Sequence, residues 1–187
     1  MFLSTQSITR IGAIMKAYKD FLELAENRYS VRSYSDRPIE KEKMDRILRA
    51  GQVAPTAVNK QPQRIFVLQS REALEKAKNV TRFTFGAPII LLVCSDKNVC
   101  HTMKDGQYLG PVDCSIALTQ MMLEAFDEGI GSCWVRGFDR NDVIREFELP
   151  ENLIPEAMMP MGYPSDDSVP GRFHAENIPI DKMVTYL

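Results

Sequence analysis

Residues 87–94, "APIILLVC", place the strongest constraint on what this chain can fold into. An uninterrupted apolar run of this length is far too short to cross a bilayer, where a helix needs about 20 such residues. It reads as a buried strand. Amphipathic segments on both sides of it in sequence can cover it. Residues 16–26 put Ala17, Phe21, Leu24 and Ala25 on one helical face. A second helix spans about 39–50, with Met44, Ile47 and Leu48 inward and Gly51 as its terminator.

The other elements follow from the same patterns. "RIFVLQ" is a strand, and Ser70 caps the short helix "REALEKAKN". A long helix runs from Pro111 to about Glu128, with Gly129 ending it. Its apolar face is Ile116, Ala117, Met121, Leu123 and Ala125, interleaved with Asp113, Gln120 and Glu124. "GSCWV" is a further strand, Asp139 caps a helix through Phe147, and "EAMMPMGY" is a strand that Pro160 places at an edge or bulge. Residues 54–63 form a proline-punctuated loop, and 96–110 a polar, mobile segment. Mixed helices and strands without a glycine-rich strand-to-helix turn predict an α+β layered domain with one sheet.

At 187 residues the chain fits one domain, or one subunit of a compact oligomer. A net charge of −2 gives no global electrostatic case for nucleic acid or an anionic membrane, so any anion site must be local. Residues 1–14 read as a loose extension lacking the features of a secretory signal, and Met15 is an alternative start. Cys94, Cys100, Cys114 and Cys133 form no CxxC pair and no zinc-site spacing, so they read as free thiols of a reducing cytoplasm. The six methionines from Met103 to Met161 are packing residues rather than a metal site. The tail carries Ile178, Ile180, Met183, Val184, Tyr186 and Leu187, too apolar to be left in water. An arm swapped onto a second subunit answers that need.

Three segments are not explained by core packing. In "ENRYSVRSYSDRPIE", Arg28, Ser30 and Arg32 fall on alternate positions, which face one side in an extended chain. Two guanidinium forks flanking a hydroxyl suit a phosphate; taken alone, the segment reads more readily as a solvated polar turn. In the loop Pro55, Thr56, Ala57, Asn59 and Gln61, small residues bring backbone close to a ligand and two amides offer donors and acceptors. In "WVRGFD", Gly137 lets something approach the main chain at a strand end. Cations for a phosphate, amides for hydroxyls or a heteroaromatic edge, and a tryptophan beside a flat ring together match flavin mononucleotide (FMN).

The chain resembles the nitroreductase-like flavoproteins. "NRYSVRSY" is similar to their R-x-S-x-R phosphate signature, and "APTAVNKQPQRIFVL" to A-P-S-x-x-N-x-Q-P-W-x-F-x-V. "DEGIGSCWVRGFD" is similar to G-L-G-T-C-W-x-x-G-F, and "MPMGYP" matches the strand and turn that follow. The four motifs occur in the family's order, and the resemblance covers residues 15–187 as one FMN-binding domain. It implies a three-layer α+β fold, a mixed but mainly antiparallel sheet flanked by helices, and a C-terminal arm swapped between subunits. It implies an obligate homodimer with two FMN sites at the subunit interface. Arg28, Tyr29, Ser30 and Arg32 would form the phosphate segment. Pro55, Thr56, Ala57, Asn59 and Gln61, commonly from the partner subunit, would hold ribityl and ring. Trp134, Val135, Arg136 and Gly137 would line the ring's redox edge. Gln63 stands where the family has tryptophan. The family's C-terminal Arg-Lys pair is missing, with Arg172 or His174 as substitutes.

The chemistry implied is an NAD(P)H-dependent oxidoreductase. Reduced nicotinamide passes hydride to the flavin N5, and a nitro compound, quinone or similar small acceptor takes the electrons in the same place, giving ping-pong kinetics. No catalytic side chain or metal is required. Arg136 reads either as a charge beside the flavin or as an ordinary salt-bridged surface arginine. The alternatives are an FMN storage or sensor protein without turnover, or dehalogenation or enone reduction on the same fold.

Overall fold

The computed structural model describes residues 18–187. The expected extension 1–14 and the start of the first expected helix, including Ala17, lie outside the described residues. Helix α1 is Phe21–Asn27, shorter than its periodicity predicts. Asp20, in extended conformation, accepts a hydrogen bond from the Glu23 N–H at 3.0 Å and starts the helix there. Leu24 is buried, but Phe21 points outward, 69% exposed.

Helix α2 is Lys41–Gln52, strand β1 Gln63–Leu68, and helix α3 Arg71–Val80, whose cap Ser70 accepts from the Ala73 N–H. Strand β2 is Ile89–Asp96, helix α4 Gly110–Asp127, strand β3 Gly131–Ser132, and helix α5 Arg140–Glu146, capped by Asp139. Strand β4 is Leu153–Gly162 and helix α6 Ile180–Met183. The sheet order is β1-β2-β4-β3, with every neighbouring pair antiparallel. A parallel bridge from Ser30 to Ser132 adds the N-terminal segment beside β3.

The apolar run behaves as a doubly covered strand. Ile89, Leu91 and Val93 face a core built with Ile47 of α2 and Cys114, Leu118, Met121 and Ala125 of α4. Ile90, Leu92 and Cys94 face the opposite core, with Ala77 of α3 and Val143 of α5. Alternation sends successive side chains to opposite faces, so the fold has three layers: α2/α4, sheet, α3/α5.

Several local expectations change in tertiary context. Gly51 does not end α2; it lies inside the helix, and a Cβ there would sit 2.7 Å from the Met121 side chain. The glycine lets α2 and α4 approach closely. On α4, Cys114 and Leu118 join the buried face, while Ile116 stays partly in solvent. "GSCWV" forms only a two-residue strand plus an isolated Val135–Met158 bridge. Pro160 is neither at an edge nor in a bulge, since β4 has neighbours on both sides. Its carbonyl accepts from the Cys133 N–H at 3.1 Å, on the β3 side. A residue's N–H and C=O share a side in an antiparallel strand, so the missing donor falls beside the short β3 and leaves the β2 ladder intact. The irregularity lies instead at Glu156, which the register skips between Ala157 and Pro155.

The 96–110 segment is tied down. Thr102 bridges Tyr108, the Met103 N–H bonds the Gln107 carbonyl at 2.8 Å, and the Tyr108 hydroxyl meets Ser95 Oγ at 2.6 Å. The tail leaves the body exposed: Phe173, Ile178, Ile180, Met183, Tyr186 and Leu187 all face solvent. No helix among the described residues is long and apolar enough to cross a membrane.

Candidate functional site

The alternation of residues 28–32 holds in three dimensions. Val31 is buried against Gly131, and its N–H bonds the Ser132 carbonyl at 3.0 Å. That pairing turns Arg28, Ser30 and Arg32 together into a cleft of about 310 Å³, with Tyr29 also in its wall. The opposite wall is the tail: Gly171, Phe173, His174, Glu176 and Asn177. The Tyr29 hydroxyl donates to Ser168 Oγ at 3.3 Å, and its ring meets His174 edge-on at 6.2 Å, which fixes the tail against the segment.

Neither Arg28 nor Arg32 makes an ion pair among the described residues. Arg32 donates to its neighbour's carbonyl, Ser30 O, at 3.2 Å and lies 5.9 Å from the centre of the Phe85 ring. The two guanidinium groups face one carboxylate, Glu176, in the cleft wall. Beneath them, burial pushes the Cys133 thiol up, opposed by the Arg32 charge, a hydrogen bond from Ser30, and the Arg28 charge. Arg172 is not in the cleft wall; its guanidinium stacks over Phe173 at 4.2 Å.

The Trp134–Gly137 segment follows directly from β3, so the first and third sequence segments lie side by side. Trp134 is partly exposed. Val135 exchanges both main-chain hydrogen bonds with Met158 at 2.8 Å, so its N–H and C=O are committed to the sheet. Gly137 is small for an internal reason: a Cβ there would lie 2.4 Å from the Phe83 ring, and its carbonyl accepts from Thr81 Oγ1. Arg136 forms no ion pair among the described residues; it donates to the Phe138 carbonyl at 3.1 Å and lies over the Phe138 ring. Burial first, then the neighbouring Arg140 charge, lowers its pKa from the usual guanidinium value.

The Pro55–Gln61 loop lies outside the cleft wall. It contains a single 3₁₀ turn, Ala57–Asn59, and three non-glycine residues in the left-handed region: Val58 (φ 52°), Asn59 (φ 54°) and Gln61 (φ 49°). Such conformations cost about 1–3 kcal/mol each and collect at functional sites. Thr56 Oγ1 accepts from the Gln61 N–H at 3.0 Å, and the Gln61 amide donates to Asn59 Oδ1 at 3.2 Å. Gln63 turns its amide back to the Gly51 carbonyl at 3.4 Å. Asp113, interleaved with the apolar face of α4, points into its own chain and accepts from the Ala57 N–H at 2.9 Å. An acid in the first turn of a mostly apolar helix was the available signal.

A three-layer α+β domain with a paired-arginine cleft beside β3 and a strained amide loop defines the class. The nitroreductase-family model matches residues 25–85 and 77–163, and the chain belongs to that family. A protein of Methanothermobacter thermautotrophicus, provisionally named NADH dehydrogenase/NAD(P)H nitroreductase, is 34% identical over 170 residues, 84% of this chain and 87% of its own. The Bacillus subtilis FMN reductase [NAD(P)H] is 29% identical over 161 residues, which cover 74% of this chain and 64% of that protein. The crystal structure of a nitroreductase family protein from Clostridium difficile 630 superposes with a TM-score of 0.84 at 39% identity, covering 90% of this chain and 98% of that one.

Proposed function

We propose that the protein is an FMN-dependent oxidoreductase moving electrons from NAD(P)H to a nitro compound, quinone or similar small electrophile, working as a cytoplasmic homodimer. The observation carrying this reading is the pair Arg28 and Arg32, without ion-pair partners among the described residues and turned with Ser30 into one polar cleft. A phosphate monoester, dianionic and rich in acceptor oxygens, is the group such donors satisfy. Of the two tail candidates, His174 is better placed to complete the grip than Arg172.

The cleft, about 310 Å³ and lined by Arg28, Ser30 and Arg32, takes the phosphate end of FMN in this reading. In this reading Trp134, Arg136 and Gly137 bound the ring on one side. Val135 packs beneath them, because its own polar groups are engaged by Met158. Pro55, Thr56, Ala57, Asn59 and Gln61 of a second copy supply the amides for ribityl and ring, which is why one chain's cleft lacks them. The exposed tail, with Ile178, Ile180 and Met183, is the arm that wraps that second copy. FMN, when bound, supplies the two-electron chemistry, accepting hydride from NAD(P)H and passing electrons to the acceptor in alternation. The relatives named NAD(P)H nitroreductase and FMN reductase support the same assignment.

Purification tests it. The protein is expected to carry flavin absorbance, to bleach with NADH or NADPH without oxygen, and to recover with a nitroaromatic or quinone. It is expected to sediment as a dimer. A colourless protein that refuses added FMN overturns the reading, and a yellow one that neither nucleotide reduces becomes a flavin store or sensor.

A further inference from the structure

Asp113 carries two costs that core packing does not explain. It is 1% exposed, yet only Oδ1 has a partner, the Ala57 N–H at 2.9 Å; Oδ2 is buried without one among the described residues. A half-satisfied buried carboxylate opposes folding. The loop it grips holds Val58, Asn59 and Gln61 at positive φ, and Val58 is 72% exposed, so no burial of its side chain compensates. Strain and a half-satisfied carboxylate together persist where a fixed shape is needed for something other than stability.

We infer that Asp113 is a positioning residue for the flavin loop. Its Oδ1 anchors the start of the turn at Ala57, and Thr56 Oγ1 closes the end at the Gln61 N–H. Between these points Asn59 and Gln61 are held with their side-chain amides joined. The loop is thereby set before a ligand arrives, and the ordering cost of binding is removed. Because Asp113 sits in the first turn of α4, the anchor is rigid and its negative charge suits that helix end.

The inference rests on the flavin reading above, and the test separates the two. Dissociation constants for FMN and for riboflavin, which lacks the phosphate, are measured by flavin fluorescence on ligand-free protein. Asp113→Ala is expected to weaken both flavins by about tenfold or more, leave the thermal midpoint of the ligand-free protein unchanged or higher, and speed amide exchange at Ala57. Asp113→Asn, which keeps an acceptor for Ala57, is expected to restore both affinity and protection. If wild-type protein binds neither flavin, the flavin reading falls and takes this inference with it. If wild-type protein binds but Asp113→Ala binds equally well, or loses affinity together with its fold, only the role of Asp113 is overturned.

Discussion

Val31 packs on Gly131 so closely that a Cβ on the glycine would lie 2.6 Å from Val31 Cγ2 and 2.8 Å from its Cβ. Backbone meets side chain there with no slack, since the Val31 N–H also bonds the Ser132 carbonyl. The contact seats the extended 28–32 segment and so aims both arginines.

Gly131→Ala is therefore expected to destabilise the protein by about 1–3 kcal/mol, the usual cost of overpacking a tight contact. Flavin affinity should fall further than stability accounts for, because the arginines lose their common direction. Urea unfolding and flavin titration on the same variant check both parts; unchanged values would show that the contact is soft.

Arg28→Ala and Arg32→Ala should each weaken FMN by about ten- to a hundredfold, the range of a charge-assisted hydrogen bond. Riboflavin should be nearly indifferent to both changes. Salt should weaken FMN binding to wild type and have less effect on the variants. Equal losses for the two flavins would move the phosphate away from this cleft.

Glu156, the residue skipped by the β4 register, is 4% exposed and accepts from Ser95 Oγ at 2.6 Å and Arg140 Nη2 at 2.5 Å. Removing the arginine leaves a buried carboxylate without its counter-charge. Arg140→Ala should cost about 1–3 kcal/mol, less than for a fully buried pair because the arginine side chain is 41% exposed. Adding Glu156→Gln should recover part of that loss in a double-variant unfolding cycle.

Burial pushes the Cys94 thiol from its ordinary 9.0 up to about 12, with the Glu156 charge adding to it, and raises Cys114 and Cys133 as well. A thiol with a raised folded pKa keeps its proton longer in the folded chain than in the unfolded one. Its contribution is complete below pH 9 and is lost as pH climbs through the folded values. Stability should decline above pH 9, by about 1.4 kcal/mol per pH unit and thiol, and Cys94→Ala should flatten the slope. Thiol labelling of the folded protein at pH 8 should reach Cys100 first, since the other three are buried.

The amino-acid sequence determined the elements and the family. Strand runs, helical periods and the caps Ser70 and Asp139 depend on neighbours a few residues away, and so they were legible in the sequence, whereas the cap at Asp20, inside the span its periodicity predicts as helix, was not. So was the alternation of Arg28, Ser30 and Arg32, because an extended chain imposes it. What each small or polar residue is for depended on which distant atom meets it. Gly51 admits Met121 rather than ending a helix, and Gly137 admits the Phe83 ring. Asp113 turns inward to Ala57, and Arg172 stacks on Phe173 while His174 enters the cleft. These contacts join residues far apart in sequence, and only the packing of three layers around one sheet brings them within reach.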